Sequence, residues 1–204
     1  MQYTKIDSTA FQKLQLNAGI IVDSFTPSTA TIGNILGATT GGFQFATNPE
    51  FVDFGEDMDN VPANTWQLKR IKSYDPSASG TFLTVTAALI KTLIAGAVNG
   101  TTTTGTGNDA VTTTDTTHII PTHEIASTDF QDIWVIGDYS DKNTGTSAGF
   151  LAIHLKKSMN TAGFQWQSTK DEKGQFSFEF HGHYDLTSPE DPPFEIYCQA
   201  GTTA

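Results

Sequence analysis

Cysteine is nearly absent from this sequence, and basic residues are half as many as acidic ones. Cys198 is the one cysteine among 204 residues, so no disulfide can form within a chain, and a reducing compartment is favoured. Lys and Arg number 11 against 22 Asp and Glu, which gives a net charge of -11. Nucleic-acid recognition depends on cations that displace the counterions of phosphates. The composition therefore argues against a DNA-binding protein.

Targeting and membrane segments are also missing. The first seven residues lack the basic start and the apolar run of a secretory signal. The most apolar stretch, residues 82–98, is short for a membrane span and is interrupted by Thr84, Thr86, Lys91 and Thr92. These features predict a cytoplasmic protein that does not contact a membrane.

Signatures of catalysis and of cofactor binding are absent as well. The sequence has no Gly-x-Ser-x-Gly nucleophile elbow, and no histidine lies near Cys198 along the chain. Gly37 and the pair Gly41-Gly42 form neither a dinucleotide-binding fingerprint nor a Walker sequence. We therefore predict no catalytic residue, no cofactor and no enzymatic activity.

Apolar runs separated by Pro, Asp and Gly turns predict a mainly β protein with antiparallel strands. The runs lie at residues 18–25, 43–54, 66–74, 119–120, 130–139 and 149–155. The clearest hairpin pairs residues 163–168 with residues 175–184 around a polar turn. Phe176, Phe178 and Phe180 alternate with polar residues in its second strand, which predicts one packed face and one solvated face.

One segment has the period of a helix. Apolar residues recur at steps of three to five, namely at Phe82, Val85, Leu89, Leu93 and Val98. We predict one α-helix over residues 81–97 that covers a face of a sheet and ends at Asn99-Gly100. Residues 100–117 are mostly Thr, Gly and Asp, which predicts a surface loop or a flexible hairpin without a core.

A metal site is the alternative chemistry that the sequence offers. His181 and His183 are two residues apart on one strand, and Glu179 shares their face, as ligands do in some β-barrel metal sites. The histidines that could complete the site are His118, His123 and His154. We expect exposed histidines rather than a metal centre, so a cupin-like metal enzyme is the weakest hypothesis.

The order of several motifs resembles a known family. They are Phe-Val-Asp-Phe-Gly-Glu-Asp at 51–57, an acidic loop, Trp-Gln-Leu-Lys-Arg-Ile at 66–71, the turn Asp-Pro-Ser-Ala-Ser-Gly at 75–80 before the helix, and the aromatic hairpin at 164–184. This order resembles the major tail proteins, also called tail tube proteins, of long-tailed bacteriophages. The resemblance covers most of the chain.

The resemblance implies a single domain over residues 1–204, a two-sheet β-sandwich or barrel with one flanking helix. It implies that six copies form a ring whose inner strands join into one barrel, and that stacked rings form a tube in the virion. The partners would be other copies and other tail proteins, namely the tape measure, tail tip and terminator, after synthesis in the host cytoplasm. Carboxylates in the lumen would let genome DNA pass without specific binding.

By the same analogy, residues 55–64, continuing to Arg70, would form an arm that contacts the adjacent ring. The residues expected to contact another subunit are Glu56, Asp57, Asp59, Lys69 and Arg70. The Thr-rich segment is longer than a core of this fold needs, and it would decorate the outside of the tube or form a disordered loop.

A β-sandwich module of a virion that binds carbohydrate or a receptor is the alternative hypothesis. Trp66, Trp134 and Trp166 could supply stacking platforms for a sugar, although tryptophans on strands more often belong to the core.

Overall fold

The computed structural model describes residues 15–105, 110–139 and 149–200. It confirms a mainly β fold with several sheets and one α-helix in these ranges. The strands are β1 (Gln15–Val22), β2 (Phe25–Thr26), β3 (Thr31–Ile32), β4 (Thr39–Ala46), β5 (Pro49–Asp53), β6 (Lys69–Tyr74), β7 (Ser77–Phe82), β8 (Ala97–Thr104), β9 (Val111–Pro121), β10 (Gln131–Tyr139), β11 (Phe150–Asn160), β12 (Gln165–Gln167), β13 (Gln175–His181) and β14 (Phe194–Gln199). The helix α1 spans Ala87–Leu93, and a 3-10 helix spans Ser127–Asp129.

Eight strands form the body of the molecule as two halves of one antiparallel sheet. The first half has the order β14-β11-β10-β1, and the second has the order β12-β13-β7-β4. They are joined where Met159 and Asn160, at the end of β11, pair with His181 and Phe180 of β13. The described strands do not close into a barrel.

The two halves pack against each other around one core. Ile133 and Leu155 of the first half lie in the same buried cluster as Phe82, Phe178 and Phe180 of the second. A second cluster, on the other face of the first half, contains Val22, Phe25, Trp134, Ile136, Phe150 and Ala152. Both faces of β10 are therefore buried, which explains its continuous apolar sequence. The expected two-sheet sandwich is confirmed.

A β-bulge turns β11 from one half to the other. The register between β10 and β11 shifts between Gln131 and Ile133, and Lys157 has a φ of 46° at the matching place in β11. Bulges bend a strand and increase its twist. Beyond the bend, the side chain of the buried Asn160 donates to the carbonyls of Leu93 (2.8 Å) and Gly163 (2.9 Å) and accepts from the amide of Glu179 (2.8 Å).

The helix is shorter than the sequence predicts. It begins after Thr86, whose hydroxyl accepts from the Leu89 amide at 3.2 Å, and Leu89 and Leu93 face the core. Phe82 instead ends β7, where it pairs with Phe176 and is fully buried. The predicted stop at Asn99-Gly100 is also wrong. Gly96 has the positive φ, 67°, after the helix, and a Cβ there would lie 2.6 Å from the Glu124 carbonyl oxygen.

The Thr-rich segment is a β-hairpin in its described residues, so of the two predicted forms, a surface loop or a hairpin, the hairpin is the one found. β8 pairs with β9 from Ala97↔Pro121 to Thr104↔Val111. Threonine is β-branched and fits an extended backbone, so the segment forms strands although it lacks a core. The other predicted hairpin is confirmed, because β12 pairs with β13 and Phe178 and Phe180 are buried.

The predictions for the start of the chain and for the tip of the Thr-rich segment cannot be compared with the structure. The start of the chain and the tip of the Thr-rich hairpin, residues 106–109, lie outside the described residues. No helix within the described ranges is long and apolar enough to cross a membrane.

Candidate assembly surface

The predicted contact residues lie on a hairpin that is separate from the sandwich. It consists of β5, β6 and the connection 54–68, and is called the arm below. β5 and β6 pair with each other and with no other described strand. The arm therefore extends a two-stranded ladder away from the core, and its side chains receive little cover from the rest of the described chain.

The base of the arm is fixed by hydrogen bonds across its two ends. The Asp75 amide donates to the Asn48 carbonyl at 3.2 Å, and the Asn48 side chain donates to the Asp75 carbonyl at 3.0 Å. The Tyr74 amide also donates to the Tyr184 hydroxyl at 2.9 Å. These bonds attach the arm to the sandwich at one place and leave its far end projecting.

The connection of the arm is ordered by Asp53. Its carboxylate accepts from the amides of Gly55 (2.9 Å) and Asn64 (3.0 Å), which lie on either side of the acidic turns. Gly55 is buried, and a Cβ there would lie 2.8 Å from the Leu68 side chain. The connection is thus a compact loop with a small interior of its own.

Apolar side chains cover the outside of this compact loop. Trp66 is 79% exposed and Phe54 is 63% exposed, and three further apolar residues are about half exposed, namely Phe51, Met58 and Ile71. Phe51 and Ile71 pair across the strands and so share one face. Exposed apolar groups with polar residues around them are typical of interaction surfaces where they form one patch.

The charged side chains of the arm's strands make contacts within the arm. Glu50 forms an ion pair with Lys72 at 2.8 Å, and the hydrogen bonds from Lys72 and Ser73 lower the pKa of the Glu50 carboxyl. The Lys69 ammonium lies 5.3 Å from the centre of the Phe51 ring, within the range of a cation–π contact. Arg70 donates to the carbonyls of Gln67 and Lys69.

All five predicted contact residues are exposed on the arm. Glu56, Asp57 and Asp59 occupy the turns of the connection, and none of them forms an ion pair with a described residue. Lys69 and Arg70 begin β6. The sequence did not reveal the apolar members of this surface, such as Phe54 and Met58, because an apolar residue in a strand or a turn is as consistent with burial as with exposure.

The three tryptophans have different environments. Trp134 is buried and stacks on His154, with ring centres 4.1 Å apart. Trp66 is on the arm, and Trp166, in the edge strand β12, is 66% exposed. The expectation that strand tryptophans belong to the core is therefore right for Trp134 and wrong for Trp166.

The histidines considered as metal ligands have separate partners. His181 lies 2.7 Å from the Asp75 carboxylate and 3.4 Å from that of Glu179. His183 instead contacts the Lys157 carbonyl at 2.9 Å and the edge of the Phe130 ring. Among the described residues, no group of three or more His, Cys, Asp or Glu side chains is arranged to hold a metal ion.

Comparison with known proteins adds no family. Neither a protein-family model nor a curated protein matches this chain.

Proposed function

We propose that this protein is a structural subunit that assembles, as stacked rings, into the tail tube of a long-tailed phage. The observation that carries the proposal is the arm, an internally ordered hairpin that exposes Phe54, Met58 and Trp66 beside acidic turns whose carboxylates form no ion pair with a described residue. A monomeric protein gains nothing from ordering apolar groups in water. Bound to a neighbouring copy, the same groups would each contribute about 1.5–3 kcal/mol if fully buried.

The sheet edges support the proposal. β4 and β12 end one half of the sandwich and β1 and β14 end the other, and each pairs with a single described strand. Edge strands have unpaired backbone groups that can bond to another chain, and ring closure removes such edges. The resemblance to tail tube proteins supplies the hexameric ring and the other tail proteins as partners.

The charge supports the role of a DNA conduit. With a net charge of -11, an assembled tube would repel the phosphates of a passing genome rather than bind them. The place of action is then the virion, and the chain itself has no enzymatic role and needs no cofactor.

Electron microscopy of the purified protein tests the proposal. We expect rings or tubes of uniform width at high protein concentration, and a shift to monomers in the variant Trp66→Ala. Leu186→Ala is the control, because it removes a 98% exposed apolar side chain outside the arm and outside every described strand. Monodisperse monomers under every assembly condition would contradict the proposal.

A carbohydrate- or receptor-binding module is the second candidate, and the exposure of Trp66 and Trp166 favours it. Trp166 lies nearly parallel to Phe176, with an angle of 11° between the rings, so one aromatic face is available for stacking on a sugar. Glycan-array binding that depends on Trp166, by a protein that does not polymerise, would favour this function over the tail tube.

A further inference from the structure

None of the described residues buries the outer part of the β8–β9 hairpin. Its eight residues, Thr101–Thr104 and Val111–Thr114, are exposed on both faces. Threonines pair across the ladder except at Thr104↔Val111, and the hydroxyls of Thr103 and Thr112 lie 3.0 Å apart. A two-stranded hairpin with no packed face is marginally stable in water. A partner that extended the ladder would supply the missing stabilisation.

The edges of this outer hairpin lack the usual protection against pairing. Natural edge strands carry charges, especially Lys, or Pro, or are covered. No charged residue and no Pro occurs in β8 or in Val111–Thr114, and each of the two strands has a single neighbour among the described strands. The arm differs in this respect, since its strand β6 carries Lys69, Arg70 and Lys72.

The charge distribution indicates what the partner is. Two copies of a chain with a net charge of -11 repel each other, and uncharged surfaces are where they can approach most closely. Both edges of the outer hairpin meet this condition, and both consist almost entirely of threonine. If neighbouring copies are related by a rotation about an axis parallel to the strands, pairing of β9 of one with β8 of the next is antiparallel, so the same ladder continues from chain to chain.

We propose that the outer hairpin docks on a second copy of this chain by edge-to-edge pairing, with β8 of one copy beside β9 of the next. The inference rests on the proposed function, because it requires chains that self-associate. It adds a contact different from the arm. The arm contributes exposed apolar side chains, whereas this contact consists of backbone hydrogen bonds between uncharged strands.

A charge placed on the edge of β8 tests the docking. Thr101→Lys changes the net charge from -11 to -10, so general repulsion between copies decreases slightly. We nevertheless expect association to weaken by at least about 10-fold, because a lysine on an edge strand opposes pairing with another strand. Thr169→Lys, at an exposed threonine outside both hairpins, is the control and is expected to change association less than about 2-fold.

Hydrogen exchange gives an independent measurement on the unmodified chain. We expect those amides of Thr101–Thr104 that point away from β9 to exchange at least about 10-fold more slowly in assemblies than in monomers, because pairing adds hydrogen bonds to that edge. Unchanged exchange of these amides in assemblies would overturn the docking.

Cross-linking in a Cys198→Ser background identifies the strands that meet. Thr102→Cys and Thr113→Cys proteins are mixed and treated with a short bismaleimide. Cross-linked dimers that require both variants support β8 beside β9. Equal dimer yield from Thr102→Cys alone would overturn this arrangement. Assemblies without cross-links would overturn the docking and leave the proposed function standing, whereas monomers under every condition would overturn both.

Discussion

The arm and the β8–β9 hairpin both leave the sandwich as two antiparallel strands, but they are stabilised in different ways. The arm contains a compact loop, in which the Asp53 carboxylate binds two amides and Gly55 packs against Leu68. The outer β8–β9 hairpin has only its ladder and threonine contacts such as that of Thr103 with Thr112. The arm therefore presents an ordered surface of side chains, whereas the outer β8–β9 hairpin presents the edges of its two strands.

The arm and the outer β8–β9 hairpin also differ in charge. The strands of the arm carry a Lys72–Glu50 ion pair and two further cations, which discourage other strands from pairing with them. The outer β8–β9 hairpin is uncharged and therefore open to strand pairing. The comparison suggests a division of roles, in which side chains of the arm select the partner and the neutral hairpin extends a sheet.

The largest effect is expected when the apolar surface of the arm is removed. The double variant Phe54→Ala/Trp66→Ala should weaken self-association by about 3 kcal/mol or more, which is at least about 100-fold. The monomer should keep its unfolding free energy within about 0.5 kcal/mol, because both side chains are exposed. Sedimentation velocity and urea unfolding measure the two quantities.

Leu186→Ala is the control for this variant, since Leu186 is 98% exposed and lies outside both hairpins. Loss of association in the control as well would show that exposed apolar area matters wherever it lies. The arm would then not differ from other exposed apolar surface of the molecule as a site of association.

The next largest effect concerns the body that carries both hairpins. Asn160→Ala removes three hydrogen bonds and leaves the buried Leu93 carbonyl and the part-buried backbone groups of Gly163 and Glu179 without this partner. We expect a loss of about 3 kcal/mol in the free energy of unfolding, measured by urea unfolding. Ser158→Ala, which removes the single bond of another buried polar residue to Gln131, should cost about 1 kcal/mol. Equal costs would show that Asn160 does not act through its three bonds.

Much of the sandwich could be predicted because its residues alternate clearly. In β13, Phe176, Phe178 and Phe180 alternate with polar residues, and the structure buries the last two fully. The sequence predicts the position of the helix but not where it begins and ends. Phe82 and Leu89 are both core residues at helical spacing, and spacing alone does not separate a core residue of a strand from one of a helix.

The sequence predicts where the arm lies and which charges it carries, but not that its apolar side chains are exposed. The acidic turn and Lys69 and Arg70 could be seen in the sequence, whereas the exposure of Phe54 and Trp66 could not. Exposure depends on whether another element covers a residue, and that is a long-range property of the fold. The β8–β9 hairpin was predicted only as one of two forms, because a low apolar content indicates the lack of a core and does not by itself separate a loop from a strand pair.

A smaller effect is expected from the residue that orders the loop of the arm. Asp53→Ala removes the acceptor of the Gly55 and Asn64 amides, so the two amides should exchange about 10-fold faster, equivalent to about 1.4 kcal/mol in the opening equilibrium. Nuclear magnetic resonance measures this exchange. Asp57→Ala is the control, because no described hydrogen bond involves that carboxylate. If both variants behave alike, the arm lacks the internal order that distinguishes it from the β8–β9 hairpin.

The smallest effect concerns one carboxylate on each hairpin. The hydroxyl and the amide of Thr117 lower the pKa of Asp115 below its usual 3.8, as Lys72 and Ser73 lower that of Glu50 below 4.5. A lowered pKa stabilises the folded state above the usual value, and this stabilisation is lost as the pH falls through the folded-state pKa. Each hairpin should therefore loosen only below the usual pKa of its own carboxylate. About 1 M salt screens ionic contacts strongly, so it should move the pKa of Glu50 towards 4.5 and move that of Asp115 less, as carbon-detected titration can measure. Equal salt shifts of the two pKa values would mean that an ion pair does not distinguish Glu50 of the arm from Asp115 of the β8–β9 hairpin.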